Sequence, residues 1–230
     1  MLKLLNPHNF SKISNRVIKP LAILFTITLC YGIYLSLFAS PPDYQQGEMV
    51  RLMYIHVPSA WMSLGIYMFI AGCSLSSIVW KTRLSFLLAV SAAPIGACFA
   101  FTTLVTGSIW GKTMWGTWWV WDARLTSMLI LFLLYLSYII VVSAADHLYR
   151  AEKPASVIAL VGAINVPIVK FSVDMWNSLH QPASILRAGG PSIHSSMLLP
   201  LMVMFFAAIL LFLLVLLVKT NNLIKKIKIS

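Results

Sequence analysis

The chain has 230 residues, of which 60% are hydrophobic and only 10% are charged. A soluble domain of this length would carry about 25% charged residues, so the composition excludes an ordinary soluble protein and leaves room for one compact membrane domain. The net charge of +11 is distributed between apolar segments rather than gathered in one patch. This distribution argues against nucleic-acid binding and indicates a membrane-topology signal.

Six stretches are long and apolar enough to cross a bilayer, which takes about 20 apolar residues. Because they are continuous rather than alternating, they predict transmembrane helices. Basic residues precede the first stretch, as in a signal peptide, but its apolar part exceeds the roughly 7–15 residues of a signal core. We therefore predict an all-α integral membrane protein in which residues 1–230 form a single domain of six helices, at 20–39, 58–80, 84–106, 125–146, 156–174 and 195–218.

The lysines and arginines between the spans predict the orientation of the chain. With six spans, both termini lie on one side of the membrane, and that side carries twelve of the 17 basic residues. We therefore predict cytoplasmic termini and three outward loops, at about 40–57, 107–124 and 175–194. The remaining five basic residues are outward: Arg51, Lys112, Arg124, Lys170 and Arg187.

Two features of the sequence carry no function in this interpretation. Cys30, Cys73 and Cys98 lie in apolar stretches without CxxC spacing, which indicates single buried thiols. The run 111–113 (Gly-Lys-Thr) resembles the end of a P-loop, but that motif needs a glycine at position 106, where this chain has a threonine.

The second outward loop is rich in tryptophan. Such residues form aromatic belts at membrane interfaces, but clustering in one loop also suits a platform for a large flat ligand, since indole offers wide apolar area with few rotatable bonds. If the chain is helical from 115, Trp115, Trp118, Trp119 and Asp122 share one face. Five of the eight tryptophans lie between 110 and 121: Trp110, Trp115, Trp118, Trp119 and Trp121.

Two charged residues follow the tryptophans, and each has more than one interpretation. Asp122 is a good N-cap for the fourth span or a polar group of a site. Arg124 matches a carboxylate bidentately or extends to the lipid headgroups.

Three histidines belong to outward loops. His56 and His180 each stand two residues before a proline, a pattern that tends to end a helix. Met49, Leu52, Met53 and His56 have the spacing of one helix face, which predicts a helix along the membrane surface. A single histidine there is usually a satisfied interfacial residue. His194 follows two glycines and a proline and is a weaker candidate.

Together the three loops hold what a haem needs. Imidazole is a common axial ligand of haem iron, tryptophans provide apolar walls for the porphyrin, and arginines bind its propionates. The candidates are His56 and His180 for the iron, and Arg51, Arg124 and Arg187 for the propionates.

The run from Trp115 to Thr126 (WGTWWVWDARLT) resembles the tryptophan-rich motif of the haem-handling membrane proteins of cytochrome c maturation. The six spans and the WDARLT ending are most similar to the haem exporter protein C (cytochrome c maturation protein C) branch. The resemblance covers nearly the whole chain, and the motif is specific.

The resemblance implies a bacterial inner-membrane protein that binds haem b non-covalently, in transit, at the periplasmic face. It implies presentation of the haem to a periplasmic haem chaperone, whose own nucleophile forms the covalent bond, so we expect no enzymatic activity here. It also implies a small single-span accessory subunit and an ATP-binding cassette transporter pair as partners. By position, His56 and His180 match the axial ligands, and the motif residues that support haem or the chaperone contact are Trp115, Gly116, Trp118, Trp119, Trp121, Asp122 and Arg124.

Three alternatives remain. The chain could move haem across the bilayer, which would need polar or small residues inside the spans; Pro94, Gly96, Asn165 and Pro167 are the few such interruptions. It could be a cytochrome b-like electron carrier, which is disfavoured because no histidine lies in the middle of a span. A plant mitochondrial inner membrane is a second possible location.

Overall fold

The computed structural model describes residues 6–176, 180, 185, 190 and 193–229. These residues contain helices and no strand, with one isolated β-bridge between Asp43 and Gly47. The α-helices are α1 (Pro7–Tyr34), α2 (Met53–Trp80), α3 (Arg83–Trp115), α4 (Ala123–Ser143), α5 (Glu152–Gly162), α6 (Asn165–Met175) and α7 (Ser195–Ile229).

Six of the helical segments described are long and apolar enough to cross a membrane, which confirms the predicted fold class. A π-helical turn, Leu35–Ala39, extends α1, and a 3₁₀ turn, Glu48–Leu52, leads directly into α2. Three of the helices, α2, α3 and α7, are longer than the predicted spans, because they continue beyond the apolar stretches. The predicted orientation of the termini stays a prediction.

The fifth span is built from two short helices. α5 ends at Gly162 and α6 begins at Asn165, two residues before Pro167. Pro167 therefore lies in the first turn of α6, where the backbone N–H that proline lacks is not needed, whereas in one continuous helix it would break the hydrogen-bond pattern. Asn165 then donates from Nδ2 to the Ser127 carbonyl in α4 at 2.8 Å. This bond fixes α6 against α4, and with it the position of Val169 and Lys170.

The central helix of the bundle is α3. It packs against α2, α4 and α7, whereas α1 packs mainly against α7 and leaves most of its surface exposed. Close contact of α3 with α4 depends on Gly96, because a Cβ there would lie 2.3 Å from the Tyr135 ring. The Tyr135 hydroxyl in turn donates to the Ser63 carbonyl of α2 at 2.6 Å, so three helices meet at one buried tyrosine.

The predicted outward loop 107–124 is wrong in its first half, since α3 continues through it to Trp115. Gly107 and Gly111 do not end the helix; a Cβ at Gly107 would lie 3.0 Å from the His56 ring, and one at Gly111 would lie 3.1 Å from the Trp115 ring. These glycines therefore serve close packing, which outweighs their low helix propensity.

The helix that the sequence allows from 115 onwards does not form. α3 ends at Trp115, and Gly116 follows in the left-handed conformation, with φ of 75°, which glycine adopts without steric cost. Residues 117–122 form no helix. Trp115, Trp118, Trp119 and Asp122 consequently do not share one helical face.

Two further expectations need correction. His56 lies in the first turns of α2 rather than on a separate surface helix, and α2 continues through Pro58. The proline removes one backbone hydrogen bond, and burial of Pro58 inside the bundle offsets that loss. Of the three cysteines, Cys30 and Cys98 are exposed on the outer surface of the helices and Cys73 is half-buried, so they are free but not fully buried thiols.

Candidate functional site

A cavity of about 320 Å³ lies at the end of the bundle that carries the tryptophan motif. This volume is at the lower limit of small-molecule sites, which are mostly apolar with a few polar groups. Residues from α2, α3, α4 and α6 line it, and so do His180 and Ile185. Both histidines that the sequence singled out therefore face one cavity.

His56 projects from α2 towards α3. Its Nδ1 lies 3.0 Å from the Thr106 hydroxyl, and that hydroxyl donates its own proton to the Thr102 carbonyl at 2.6 Å. Because a hydroxyl has one proton to donate, Thr106 accepts from His56, and the His56 proton is on Nδ1. Nε2 then carries the lone pair of the ring. The Trp110 ring stands edge-on to His56, with the centroids 5.7 Å apart.

His180 is held by Asp122. Its Nδ1 lies 3.0 Å from Asp122 Oδ2, and a carboxylate only accepts, so this ring also has its proton on Nδ1 and its lone pair on Nε2. The Trp115 ring packs edge-on against it, with 4.8 Å between centroids. Burial lowers the pKa of His180 below its usual value, although the Asp122 carboxylate acts in the opposite direction. Burial therefore favours the neutral form of this imidazole.

Asp122 has two roles at once. Its Oδ1 accepts from the Leu125 backbone N–H at 2.8 Å, as the N-cap of α4, and its Oδ2 accepts from His180. The two interpretations of this residue from the sequence are thus compatible. The cap fixes the carboxylate, and the carboxylate orients the histidine.

The tryptophans of the motif divide into two pairs. Trp115 and Trp119 line the cavity, and the buried indole N–H of Trp119 has no acceptor among the residues that the structure describes. Trp118 and Trp121 lie outside the cavity lining, with 59% and 78% of their surface exposed. The Lys112 ammonium stands 6.0 Å from the Trp118 ring.

Only part of the predicted cationic set faces the cavity. Arg124 lines it, and so does Lys170, which the sequence analysis used only for topology. Arg51 lies elsewhere: it pairs with Glu48 and donates to the Ser36 carbonyl at 2.6 Å, which fixes the first outward loop. Arg187 lies outside the described residues.

Three residues of the site escaped sequence reasoning. Thr106 and Gly107 hold and accommodate the His56 ring, and Lys170 adds a cation. The only sequence signal for Thr106 and Gly107 is that they lie two to three turns before Trp115 on the same helix. His194, the weaker histidine candidate, is exposed and bonded to Ser196 at 2.8 Å.

The chain matches known proteins over its full length. The family model for heme exporter protein C matches residues 1–230. The chain belongs to this family. A heme exporter protein C of Bradyrhizobium diazoefficiens is 52% identical over 204 residues, which cover 89% of this chain and 77% of the relative.

Other members of the heme exporter protein C family give the same result. The Escherichia coli K12 protein is 42% identical over 89% of this chain and 82% of its own length. A putative cytochrome c biosynthesis ccmC-like mitochondrial protein of Marchantia polymorpha is 44% identical over 96% of this chain and 94% of its own length. Family membership and the six apolar helices identify a multi-pass inner-membrane protein that handles haem for cytochrome c maturation.

The residues around the cavity fit a haem. Two imidazoles with Nδ1 in a hydrogen bond offer their Nε2 atoms, Trp115 and Trp119 offer flat apolar surface, and Arg124 and Lys170 offer positive charge for carboxylates. The unsatisfied N–H of Trp119 offers one more donor. No group of three or more metal-ligating side chains occurs in the described part of the chain, and a haem iron needs only two from the protein.

Proposed function

We propose that this chain binds haem b non-covalently between His56 and His180, at the periplasmic face of the membrane, and presents it to a periplasmic haem chaperone. The observation that carries the proposal is that both imidazoles line one cavity, each with Nδ1 in a hydrogen bond and Nε2 as the basic atom. Haem supplies an iron with two axial coordination positions. The histidines occupy these positions, and no side chain of this chain forms a covalent bond.

The cationic and aromatic residues orient the haem. Arg124 and Lys170 line the cavity and bind the propionates, since guanidinium and ammonium groups form charge-assisted hydrogen bonds with carboxylates. Trp115 and Trp119 cover the apolar macrocycle.

Presentation to a partner requires a surface outside the cavity. Trp118 and Trp121 provide this surface, because their side chains are exposed and do not line the cavity. Exposed aromatic residues are typical anchors of protein interfaces. We assign them to the chaperone contact, and we assign the accessory single-span subunit and the ATP-binding cassette pair to other surfaces of the bundle. Release of the loaded chaperone by that pair agrees with a chain that is not itself an enzyme.

The experiment is an absorption spectrum of the detergent-purified chain, co-expressed with its chaperone. Wild type is expected to show the pattern of haem with two histidine ligands. His56→Ala and His180→Ala are each expected to shift the spectrum or lose haem. His194→Ala is the matched control, because His194 is an outward, exposed histidine away from the cavity. Equal spectra for all four proteins would contradict the assignment.

Haem translocation by this chain is a second candidate. The buried hydroxyls of Ser91 and Ser156 lack a partner among the described residues, and unsatisfied polar groups inside spans suit a translocation path. Purified chain in proteoliposomes distinguishes the candidates. Haem that stays bound at one face supports presentation, and haem that reaches the lumen supports transport.

A further inference from the structure

We infer that the two axial imidazoles are unequal ligands: the carboxylate of Asp122 makes His180 the ligand that retains the haem, and His56, whose hydrogen-bond partners are the uncharged Thr106 hydroxyl and Thr103 backbone, is the ligand that detaches first. The inference rests on the proposed function, because it assumes that both histidines bind iron. It adds a positioning role for Asp122 and Thr106 and an order of release.

His180, the ligand that retains the haem, is held by the buried carboxylate of Asp122. Asp122 is 8% exposed, its Oδ1 is committed to the cap of α4, and its Oδ2 faces His180 Nδ1 at 3.0 Å. A carboxylate that accepts the distal N–H of a ligating histidine fixes the tautomer and raises the basicity of Nε2. In a buried position this interaction is weakly screened. His180 is therefore a strong electron donor in a fixed orientation.

His56, the ligand that detaches first, has an uncharged hydroxyl rather than a carboxylate as the partner of its Nδ1 atom. Thr106 offers one hydroxyl oxygen, whose proton is already directed at the Thr102 carbonyl. A neutral acceptor polarises an N–H less than a carboxylate does, because hydrogen bonds with a charged partner are roughly twice as strong as neutral ones. His56 is thus the weaker donor of the two.

The difference in donor strength between His180 and His56 sets the order in which their bonds to iron break. When an incoming two-electron donor approaches, the bond between His56 and iron breaks first, with the electron pair remaining on Nε2. The donor takes that coordination position, and no electron or proton is transferred. His180 retains the haem during this exchange, so the haem is never without a protein ligand.

The inference is tested by small-molecule replacement of each ring. His56→Gly and His180→Gly proteins loaded with haem are titrated with imidazole, 4-methylimidazole and 1-methylimidazole, and binding is read from the Soret band. The first two probes keep an N–H for the protein acceptor, and 1-methylimidazole does not. 4-Methylimidazole controls for the size of the methyl group.

The expected selectivity for 4-methylimidazole over 1-methylimidazole differs between the two positions. At position 180 it is about 10–100-fold, as for loss of a second-shell carboxylate contact, and at position 56 only about 2–10-fold, as for a neutral hydrogen bond. Adding Asp122→Asn to His180→Gly is expected to lower the preference to about 2–10-fold, because the asparagine amide oxygen is a neutral acceptor. Asparagine caps helices as well as aspartate does, so α4 remains capped.

Each other outcome overturns a defined part of the account. Equal selectivity at both positions, or greater selectivity at position 56, overturns the inequality and leaves the proposed ligands in place. If no probe restores a six-coordinate spectrum in either glycine variant, the ligand assignment fails, and the inequality fails with it. Thr106→Val and Asp122→Asn in the chain with both histidines give an independent check. The first is expected to speed the replacement of one ligand by carbon monoxide, and the second to raise the midpoint potential of the haem.

Discussion

The imidazole of His56 lies directly over Gly107, so close that a Cβ at position 107 would stand 3.0 Å from its Cε1 atom. Gly107 is inside α3, where glycine costs helix stability. The cost is offset by a close approach that sets the position of a proposed iron ligand.

Gly107→Ala is therefore expected to displace the His56 ring and weaken haem binding by about 10-fold, in line with the effect of disturbing the groups that orient a metal ligand. Haem titration of the purified chain measures this. Gly72→Ala is the matched control, because a Cβ at Gly72 meets no atom within 4 Å. Its affinity is expected to equal that of wild type. Equal affinity in the Gly107 variant would show that the contact does not position the ring.

The two tryptophan pairs are expected to separate binding from delivery. Trp115→Ala removes the ring that packs on His180 at 4.8 Å, so haem content should fall. Trp118→Ala with Trp121→Ala removes two largely exposed side chains, of which Trp121 also packs edge-on against Trp119 with 5.5 Å between the ring centroids. Most of the haem content should therefore be retained while transfer to the chaperone falls. Measuring haem in the chain and haem attached to the chaperone checks both. Loss of haem from the Trp118/Trp121 double variant would contradict the division.

Lys170→Gln is expected to weaken haem binding, because it removes one of the two cations that line the cavity among the described residues, both of which we assign to the propionates. The loss should be about 10-fold or less, as for one charge-assisted hydrogen bond. Haem dimethyl ester, which lacks the carboxylates, provides the control: wild type and variant should bind it equally. If the ratio of the affinities for haem and for the ester is the same in the variant as in wild type, Lys170 does not bind a propionate.

Acid is expected to destabilise the haem-free chain through His180. Burial places the folded-state pKa of His180 below the ordinary value of 6.5. The unfolded chain therefore takes up this proton first, and the stabilisation, fully present above pH 6.5, is lost as pH falls through the lowered pKa. Thermal unfolding between about pH 5 and 7.5 measures the slope, which should be smaller in His180→Gln. An identical slope in that variant would assign the pH dependence to other groups.

Gly96→Ala is expected to destabilise the bundle, because the added Cβ would lie 2.3 Å from the Tyr135 ring. Overpacking of a core typically costs about 1–3 kcal/mol. Thermal unfolding in detergent checks this, with Gly65→Ala as the control, since no atom lies within 4 Å of a Cβ at Gly65. Unchanged unfolding of the Gly96 variant would mean that α3 and α4 separate without cost.

The six spans could be predicted from the sequence, because hydrophobic length is a local signal. His56 and His180 could be selected as candidate ligands because imidazole is a common ligand of haem iron, and the structure places both at one cavity; their role as ligands stays a prediction. The dual role of Asp122 could be predicted only as two alternatives. Its position immediately before α4 specifies the cap, but its contact with His180 joins residues 58 positions apart.

The rest depends on how the helices meet. Thr106, Gly107 and Lys170 belong to the site because α3 and α6 are placed at a particular depth and rotation against α2. The shared helical face that the sequence allows from Trp115 does not form, since α3 ends there and Gly116 takes the left-handed conformation. Without a helical period, sequence spacing does not distinguish the cavity-facing Trp119 from the exposed Trp118.

The position of the iron in a cryo-EM map of the haem-loaded chain tests the central claim most directly. The account predicts iron within bonding distance of Nε2 of His56 and of Nε2 of His180, with each Nδ1 still facing Thr106 or Asp122. Iron bound to His194, or haem outside the cavity against Trp118 and Trp121, would contradict it.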